Sequence, residues 1–297
     1  MKRLTPFSYF EPLQLDEAIQ FLAEHEDGVY PLAGGTDLLV RMKRGDLKAS
    51  CLVNLKRIPG LDEITRESGQ GMHIGPLTSI SALETSASVR LHYPVLARAA
   101  GLLGTPSIRN LGTLGGNVGR ASPAADLVPA LIVLKALVSI AGPDGNRRAE
   151  IEKVFAGPGK TTLGRGELIT DFFVPEPSPE TGAAYLKLGR REGVDCALVG
   201  AAVLLVLSGD REVKEARIAL SAVGPTPIRA RKAEEALVSG PLTSGRIWKA
   251  AQVASGETFP ISDVRCSGAY RKEMVAVLTR RALEQALHLM RGENTKK

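Results

Sequence analysis

The sequence predicts two compact domains, each of which mixes helices and strands. Its 297 residues exceed the roughly 250 at which a single hydrophobic core usually stops growing. Apolar residues recur at helical spacing in some segments and form short strand-like runs in others. The proline-rich stretch PEPSPETG breaks both patterns, so we place the domain boundary there, with domains at 1–175 and 176–297.

The first segments predict a helix followed by a small β–α–β unit. Leu15, Ile19 and Leu22 fall on one face of the opening helix. The run GVYPLAGG then indicates a strand that ends in glycines, and TDLLVRMKRG indicates a helix that stops at Gly45. The run CLVNL at 51–55 predicts the second strand of the unit.

The rest of the first domain predicts alternating strands and short helices. We expect Ser81 and Glu84 to form a capping box and Pro94 to begin the next helix. We expect the glycine-rich run TPSIRNLGTLGGNVGRAS to be irregular and the pair 122–123 to start a further helix. A hairpin is predicted to turn at GPDG, and ELITDFFVP predicts another strand.

Beyond the boundary the pattern simplifies to strands followed by helices. Strands are predicted for AAYLKLGR, CALVGAAVLLVL and VKEARIALSAVG, with the last two joined by a turn at SGDRE. Helices are predicted for ARKAEEALVSG, SGRIWKAAQVAS and GAYRKEMVAVLTRRALEQALHLM, and the last of these is long and amphipathic.

Composition and charge argue against membrane and nucleic-acid proteins. The longest apolar stretch, from Leu127, is interrupted by Lys135 and is shorter than the roughly 20 residues of a membrane span. The first residues lack the apolar core of a secretory signal, so we expect a cytoplasmic protein. The net charge of +6 is dispersed and aromatic residues are only 4%. A basic nucleic-acid-binding protein therefore remains an alternative, but no motif in the sequence supports it.

The spacing of cysteine and histidine predicts no metal site. Cys51, Cys196 and Cys266 are widely separated and odd in number, and the 4 histidines lack a metal-binding pattern such as HExxH. We therefore expect this chain to hold neither a metal ion, nor an iron–sulfur cluster, nor a disulfide framework.

Two glycine-rich stretches carry the clearest functional signal. In PLAGGTDLLVRMKRG, residues 33–35 expose backbone amides directly before a helix, and Thr36 adds a hydroxyl donor. Such amides bind phosphate, because no side chain holds the ligand away. The run TLGGN offers the same exposure, with Thr113 and Asn117 as side-chain hydrogen-bonding groups.

The familiar nucleotide motifs do not explain these stretches. GPGKTT resembles the end of a P-loop, but that motif needs a glycine where Val154 stands, and we interpret it as a plain turn. AGGTDL lacks the G-x-G-x-x-G spacing of a Rossmann fold. Two such loops in one domain favour a ligand with two phosphates and a sugar, clamped between subdomains.

Six segments together resemble the FAD-binding medium subunit of the molybdenum hydroxylases, the group that contains xanthine dehydrogenase and carbon monoxide dehydrogenase. They are PLAGGTDLLVRMK, IRNLGTLGGNVGRASPAADL, GELITDFFVP, YLKLGRREGVDCALVGAAV, AVGPTPIRARKAEEAL and DVRCSGAYRKEMVAVLTRRAL. The resemblance implies an α+β fold, with a two-subdomain FAD-binding domain of the vanillyl-alcohol oxidase (PCMH) type divided at about 1–56 and 57–175. It further implies a C-terminal domain of the carbon monoxide dehydrogenase flavoprotein type, with a three-stranded antiparallel sheet and helices.

The resemblance also implies which residues hold FAD. The expected set is Leu32, Ala33, Gly34, Gly35, Thr36, Asp37, Leu38, Leu103, Thr113, Gly115, Gly116, Asn117, Asp126, Ile169 and Lys187. In the family the first loop holds the pyrophosphate through its amides, and Asp126 matches an acidic position near the cofactor. Ile169 and Lys187 match positions that approach FAD in some relatives. Ordinary strand core for Ile169 and a solvated cation for Lys187 remain the alternatives.

Two departures from relatives are visible in the sequence. Some members insert a cysteine-rich loop for an extra iron–sulfur cluster, and this chain has no cysteine between Cys51 and Cys196. Cys196 stands beside Asp195, near the flavin in the family pattern, where relatives can carry an aromatic residue.

The resemblance implies an electron-transfer subunit of a heterotrimeric hydroxylase. A small subunit with two [2Fe-2S] clusters would pass electrons to the FAD of this chain, and a large subunit would hold molybdopterin, in a dimer of heterotrimers. The flavin would pass electrons to NAD, a quinone or oxygen, so we expect no catalytic acid or base here. A regulatory or scaffold protein that binds a dinucleotide without turnover remains the alternative. We expect bulky residues at Gly34 or Gly116 to lower FAD occupancy more than fold stability.

Overall fold

The structure is a computed structural model that describes residues 4–25, 27–191, 194–208, 212–238 and 240–290. The strands are β1 (Ser8–Phe10), β2 (Val29–Leu32), β3 (Cys51–Asn54), β4 (Ile64–Glu67), β5 (Gly71–Ile74), β6 (Leu137–Gly142), β7 (Gly145–Glu150), β8 (Phe155–Gly157), β9 (Lys160–Thr161), β10 (Leu168–Pro175), β11 (Thr181–Leu188), β12 (Val199–Leu207), β13 (Val213–Ser221) and β14 (Ile228–Arg229). The helices are α1 (Leu15–Glu24), α2 (Leu38–Arg44), α3 (Ile80–Thr85), α4 (Ala87–His92), α5 (Pro94–Gly101), α6 (Pro106–Leu111), α7 (Leu114–Gly119), α8 (Leu127–Val133), α9 (Arg231–Val238), α10 (Ser244–Gly256) and α11 (Gly268–Met290).

The first sheet has the order β1–β3–β2, and both outer strands run parallel to the fully buried β3. The predicted β–α–β unit is confirmed as β2, α2 and β3. Helix α2 ends at Gly45 as predicted, because that residue adopts a left-handed backbone with φ of +85°. Strand β1 was not predicted; its three residues are largely exposed, so they carry no apolar run.

The second sheet has the antiparallel order β4–β5–β10–β6–β7. Strand β10 is inserted between β5 and β6, so a segment far along the chain completes the sheet. Helices α5 and α8 contribute to its core, and every residue of α8 is buried. The predicted hairpin at GPDG is confirmed as the β6–β7 connection, and the P-loop-like run is a turn between β8 and β9.

Three details of this domain differ from the prediction. Helix α3 begins two residues earlier than expected: the hydroxyl of Ser79, not Ser81, accepts the amide of Ala82 at 3.0 Å. The glycine-rich run predicted as irregular forms α6 and α7, because threonine caps precede both helices. Helix α8 begins at Leu127, not at 122–123.

The C-terminal sheet has the antiparallel order β11–β12–β13–β14. The predicted strands and helices are confirmed, and in the described part of the chain the two-residue β14 adds a fourth strand at the edge. The predicted SGDRE turn includes 209–211, which lie outside the described residues. Helix α11 packs so tightly on β11 that a Cβ on Gly182 would overlap the carbonyl oxygen of Ala286.

One apolar cluster contains residues from both halves of the chain. Tyr185, Ala202 and Leu204 from the C-terminal sheet belong to the same apolar cluster as α8. The amide of Ala222 donates to the carbonyl of Pro123 at 2.7 Å, across this contact. Within the described residues, no helix is long and apolar enough to cross a membrane.

Candidate dinucleotide-binding site

The first glycine loop connects β2 to α2. Leu32 is buried at the end of β2, and Leu38 is the first residue of α2. Gly35 has a φ of +74°, so the chain turns there in a conformation that favours glycine. Its carbonyl accepts the amide of Leu39 at 3.1 Å, which joins the loop to the helix.

The amides of this loop are unpaired. Within the described residues, none of the backbone N–H groups of 33–37 donates a hydrogen bond to the protein. Residues 33–36 are only partly accessible, whereas Asp37 is exposed. A row of unpaired donors at a partly buried turn is suited to an anionic ligand, because unmade backbone hydrogen bonds are costly.

The second glycine stretch forms the first turn of α7, and its amides are already used. Gly115 donates to the carbonyl of Pro76 at 2.8 Å, and Gly116 donates to the hydroxyl of Thr113 at 3.0 Å. The expectation of exposed amides at these two glycines is therefore wrong. Glycine is required at 115 for packing, because a Cβ there would lie 2.7 Å from the Cβ of Pro76.

The two stretches are in direct contact. A Cβ on Gly34 would overlap the carbonyl oxygen of Leu111, and a Cβ on Gly112 would lie 3.6 Å from the hydroxyl of Thr36. A Cβ on Gly116 would lie 3.9 Å from that of Ala33. The structure thus brings together loops that are about eighty residues apart in sequence, as the clamped-ligand hypothesis requires.

An ion pair closes one end of this contact. The Nε of Arg120, just after α7, lies 2.7 Å from the Oδ2 of Asp37, and both side chains are partly exposed. The carboxylate of Asp37 makes no capping hydrogen bond to α2. Sequence reasoning missed Arg120; its place three residues after Asn117 in the same glycine-rich stretch was the available signal.

Asn117 has a buried acceptor without a partner. Its backbone amide donates to the carbonyl of Thr113 at 2.9 Å, but its side-chain Oδ1 is buried and accepts no hydrogen bond from the described residues. A buried polar atom of this kind is uncommon in folded proteins and calls for a missing donor. A hydroxyl of a bound sugar or polyol would supply one.

A second group of predicted residues forms a buried network between the two halves. The Nζ of Lys187 lies 2.8 Å from Asp126 Oδ2 and donates to the carbonyl of Leu102 at 3.0 Å. The hydroxyl of Tyr185 donates to Asp126 Oδ1 at 3.0 Å. Both charged side chains are 8% exposed, so Lys187 is not a solvated cation. Tyr185 was not predicted.

Burial governs the protonation of this network. It raises the pKa of Asp126, although the neighbouring Lys187 acts in the opposite direction. Burial, together with the Asp126 charge, raises the pKa of Tyr185 well above its usual value, so the phenol stays a proton donor. The network thus holds a fixed hydrogen-bonding arrangement at neutral pH.

Leu103 and Ile169 are placed less directly. The carbonyl of Leu103 accepts from Arg109 at 3.1 Å, and Arg109 is itself held by Glu84 at 2.7 Å. Since α6 carries Arg109, it ties the Leu102–Leu103 segment to the second glycine stretch. Ile169 is 8% exposed in the core beside β6, where its position matches ordinary strand core; its approach to a cofactor stays a prediction.

A cavity of about 580 Å³ lies between the β6–β7 turn and residues 162–167, and neither glycine stretch lines it. Two arginines line it, Arg147 and Arg165, and the guanidinium of Arg147 is already paired with Glu167 at 2.7 Å. We therefore take the glycine loops as the candidate site.

The residues at the loops fit FAD. The unpaired amides of 33–37 match a diphosphate, and the unpartnered Oδ1 of Asn117 matches the hydroxyl groups of the ribose or ribityl chain.

Comparisons with known proteins agree with this fit. Residues 5–177 match the family model described as the FAD binding domain in molybdopterin dehydrogenase, and 183–286 match the CO dehydrogenase flavoprotein C-terminal domain. The chain is 35% identical over 280 residues to the carbon monoxide dehydrogenase medium chain of Afipia carboxidovorans, covering 94% of this chain and 96% of the relative. It is 33% identical over 285 residues to the 6-hydroxypseudooxynicotine dehydrogenase complex subunit alpha of Paenarthrobacter nicotinovorans, covering 96% of each.

Solved structures show the same likeness. A chain of carbon monoxide dehydrogenase from Hydrogenophaga pseudoflava matches with a TM-score of 0.93 at 33% identity, covering 96% of this chain and 99% of the other. Quinoline 2-oxidoreductase from Pseudomonas putida 86 matches with a TM-score of 0.90 at 30% identity, covering 97% and 100%. The chain belongs to the FAD-binding medium subunits of the molybdenum hydroxylases, a family of oxidoreductases.

Proposed function

We propose that this chain is the electron-transfer flavoprotein of a three-subunit molybdenum hydroxylase. It takes electrons from [2Fe-2S] clusters on a small partner subunit and delivers them through FAD to NAD, a quinone or oxygen. The observation that carries the proposal is the row of unpaired amides at 33–37, held against the second glycine stretch in a chain of this family.

The residues of this chain bind and orient the cofactor. The amides of 33–37 hold the diphosphate, and the contact between Gly34 and Leu111 fixes the distance between the loops. Thr113 keeps α7 in place as its cap, so Asn117 is presented to the ligand with its acceptor free. Leu32, Leu38 and the other expected contacts belong to the same proposal.

The buried network of Asp126, Lys187 and Tyr185 joins the two halves of the chain near the expected FAD contacts. Asp126 and Lys187 come from different halves of the chain, and Lys187 also binds the carbonyl of Leu102. We therefore propose that an FAD-binding domain at 1–175, with subdomains at about 1–56 and 57–175, is locked to a C-terminal domain at 176–297 by this network. The lock keeps Leu103 and Ile169 at fixed positions relative to the loops.

FAD itself supplies the redox chemistry when bound, because a flavin exchanges electrons both singly and in pairs. The protein contributes binding, orientation and exclusion of water, and no side chain acts as a general acid or base. The large partner holds molybdopterin and oxidises the substrate, and the assembly is a dimer of such heterotrimers. The names of the relatives support an assembly of several subunits, since they include a medium chain and a subunit of a dehydrogenase complex.

Purification and reconstitution test the proposal. The purified chain, incubated with FAD and desalted, should retain about one flavin per chain and show flavin absorption. After anaerobic reduction of that flavin, stopped-flow mixing with NAD, a soluble quinone or oxygen should reoxidise it fastest with the natural acceptor. A colourless chain that takes up no FAD would contradict the proposal.

Co-expression tests the partners separately. The tagged chain, produced with a candidate ferredoxin-like subunit and a candidate molybdopterin subunit, should purify as a complex that contains iron, sulfide and molybdenum. If the chain binds FAD but associates with neither candidate, the proposed FAD binding stands and the proposed heterotrimer is wrong.

A further inference from the structure

Arg120 stands where the two glycine stretches end. Its backbone amide donates to the carbonyl of Gly116 at 3.0 Å, so α7 places it one turn beyond the glycine that faces Ala33. Its Nε lies 2.7 Å from Asp37, the last residue of the row of unpaired amides. The absence of a side chain at Gly159 leaves room for the guanidinium, because a Cβ there would lie 3.1 Å from Arg120 Nη1.

The ion pair alone gives little reason for this arrangement. Both side chains are partly exposed, 36% for Arg120 and 48% for Asp37, and exposed pairs of this kind contribute little to stability. The carboxylate of Asp37 brings a negative charge to the end of a row of amides that favours anions. A carboxylate there competes with any anionic ligand for the guanidinium.

A diphosphate needs more positive charge than neutral amides provide. A guanidinium binds phosphate oxygens through two parallel N–H groups, and such charge-assisted bonds are about twice as strong as neutral ones. Only the partner of Arg120 would have to change, because its backbone stays anchored at the end of α7.

We propose that Arg120 is a phosphate-binding residue that exchanges the carboxylate of Asp37 for oxygens of the diphosphate of a bound dinucleotide. The proposal rests on the proposed function in that FAD is the dinucleotide. The carboxylate of Asp37 holds the guanidinium at the loop in the free protein. It competes with the diphosphate for Arg120, whereas the backbone amide of Asp37 belongs to the row that binds the diphosphate.

Four apoprotein variants separate this role from that of a simple clasp between loops. They are Arg120→Gln, Arg120→Lys, Asp37→Asn and the Asp37→Asn/Arg120→Gln double variant, titrated with FAD, with ADP and with riboflavin by fluorescence or calorimetry. Arg147→Gln is the matched control, since Arg147 is 39% exposed and paired at 2.7 Å, but outside the loops.

The two roles predict opposite signs for Asp37→Asn. If Arg120 binds phosphate, Arg120→Gln lowers the affinity for FAD and ADP by about tenfold. The affinity for riboflavin is unchanged, because riboflavin has no phosphate. Arg120→Lys then recovers part of the loss, and Asp37→Asn binds FAD at least as tightly as the wild type. Added salt weakens the wild type more than Arg120→Gln.

A clasp gives a different pattern and overturns the inference. Asp37→Asn would then weaken FAD binding as much as Arg120→Gln, with no further loss in the double variant. An Arg120→Gln variant that binds FAD and ADP like Arg147→Gln also overturns it. If the wild type binds no FAD but binds ADP through Arg120, the proposed function fails and the phosphate role of Arg120 stands.

Discussion

The carbonyl oxygen of Leu111 occupies the place where a side chain on Gly34 would begin. The two glycine stretches therefore meet backbone to backbone. Gly34 is needed so that the loops can approach each other, which is a different reason from the one that the sequence suggests. The loop contact and the proposed ligand site therefore both depend on Gly34.

Replacement of Gly34 by alanine should weaken both the fold and the site. The new Cβ forces the loops apart, and overpacking of this kind costs about 1–3 kcal/mol. Urea unfolding of the apoprotein measures the stability, and FAD titration measures the site. This revises the expectation that a residue here acts on FAD occupancy more than on stability.

Gly119→Ala is the control for that experiment. Gly119 lies at the end of α7, and a Cβ there meets nothing within 4 Å. The free energy of unfolding and the FAD affinity of the variant should therefore equal those of the wild type. Equal free energies of unfolding for Gly34→Ala and Gly119→Ala would contradict the close contact between Gly34 and the carbonyl of Leu111.

Replacement of Gly116 by valine should act mainly on the cofactor. Its side chain would enter the space that faces Ala33, where it would crowd a bound ligand. The Cβ would also lie 2.9 Å from the hydroxyl of Thr113 and disturb the cap of α7, at about 1 kcal/mol. FAD titration and denaturant unfolding together measure the two effects.

Thr243→Ala supplies the matched loss of a cap at a distance from the loops. Thr243 caps α10 by accepting the amide of Arg246 at 3.3 Å. This variant should lose similar stability and keep its FAD affinity. Unchanged FAD affinity in Gly116→Val would remove that glycine from the site.

Replacement of Lys187 by methionine should leave Asp126 buried without its cation. Breaking a buried pair in this way costs about 3–5 kcal/mol. Burial already raises the pKa of Asp126, and loss of Lys187 raises it further. A raised folded-state pKa favours the folded protein at low pH, so the deficit should be largest near pH 7 and shrink as the pH falls through that pKa.

Unfolding experiments from about pH 7 down to the unfolded-state pKa of aspartate, about 3.9, check this dependence. Adding Asp126→Asn to Lys187→Met should recover part of the stability at neutral pH, because no buried charge then remains. A deficit that is the same at every pH would mean that the loss of Lys187 does not raise the folded-state pKa of Asp126.

Glu215 takes part in a contact between the two halves of the chain, and we expect acid to weaken this contact. A hydrogen bond from Arg217 and a further one from Lys135 lower the pKa of Glu215 to about 2, and Arg217 also donates to the carbonyl of Val133. A lowered folded-state pKa stabilises the folded protein at pH values above the unfolded-state pKa of about 4.3. This stabilisation is lost as the pH falls toward the folded-state pKa of about 2. Since Glu215 is partly exposed, we expect an effect of no more than about 1 kcal/mol.

Glu215→Gln tests that contact by acid titration of the unfolding free energy. The wild type should lose more stability than the variant between about pH 4.5 and pH 2. Parallel pH profiles for the two proteins would contradict the assignment.

Much of the fold could be predicted because its elements carry regular patterns. The long strands β12 and β13 are apolar runs, and α11 has helical spacing over its whole length. The short elements could not be predicted in the same way. Strand β1 is formed by pairing with β3, and α6 and α7 depend on threonine caps within a glycine-rich run.

The site could be predicted only in part for a similar reason. The exposed amides of 33–37 follow from local glycine chemistry, but the pairing of Gly115 with Pro76 depends on a distant segment. The ion pair of Asp37 with Arg120 likewise joins residues from separate stretches. No spacing rule in one sequence relates such partners.

A crystal structure of the FAD-loaded chain tests the central claim most directly. We predict diphosphate oxygens at about 3 Å from the amides of 33–37 and within reach of Arg120, with a cofactor hydroxyl donating to Asn117 Oδ1. A diphosphate bound elsewhere, such as in the cavity beside Arg147, or loops that separate without contacting it, would contradict the account.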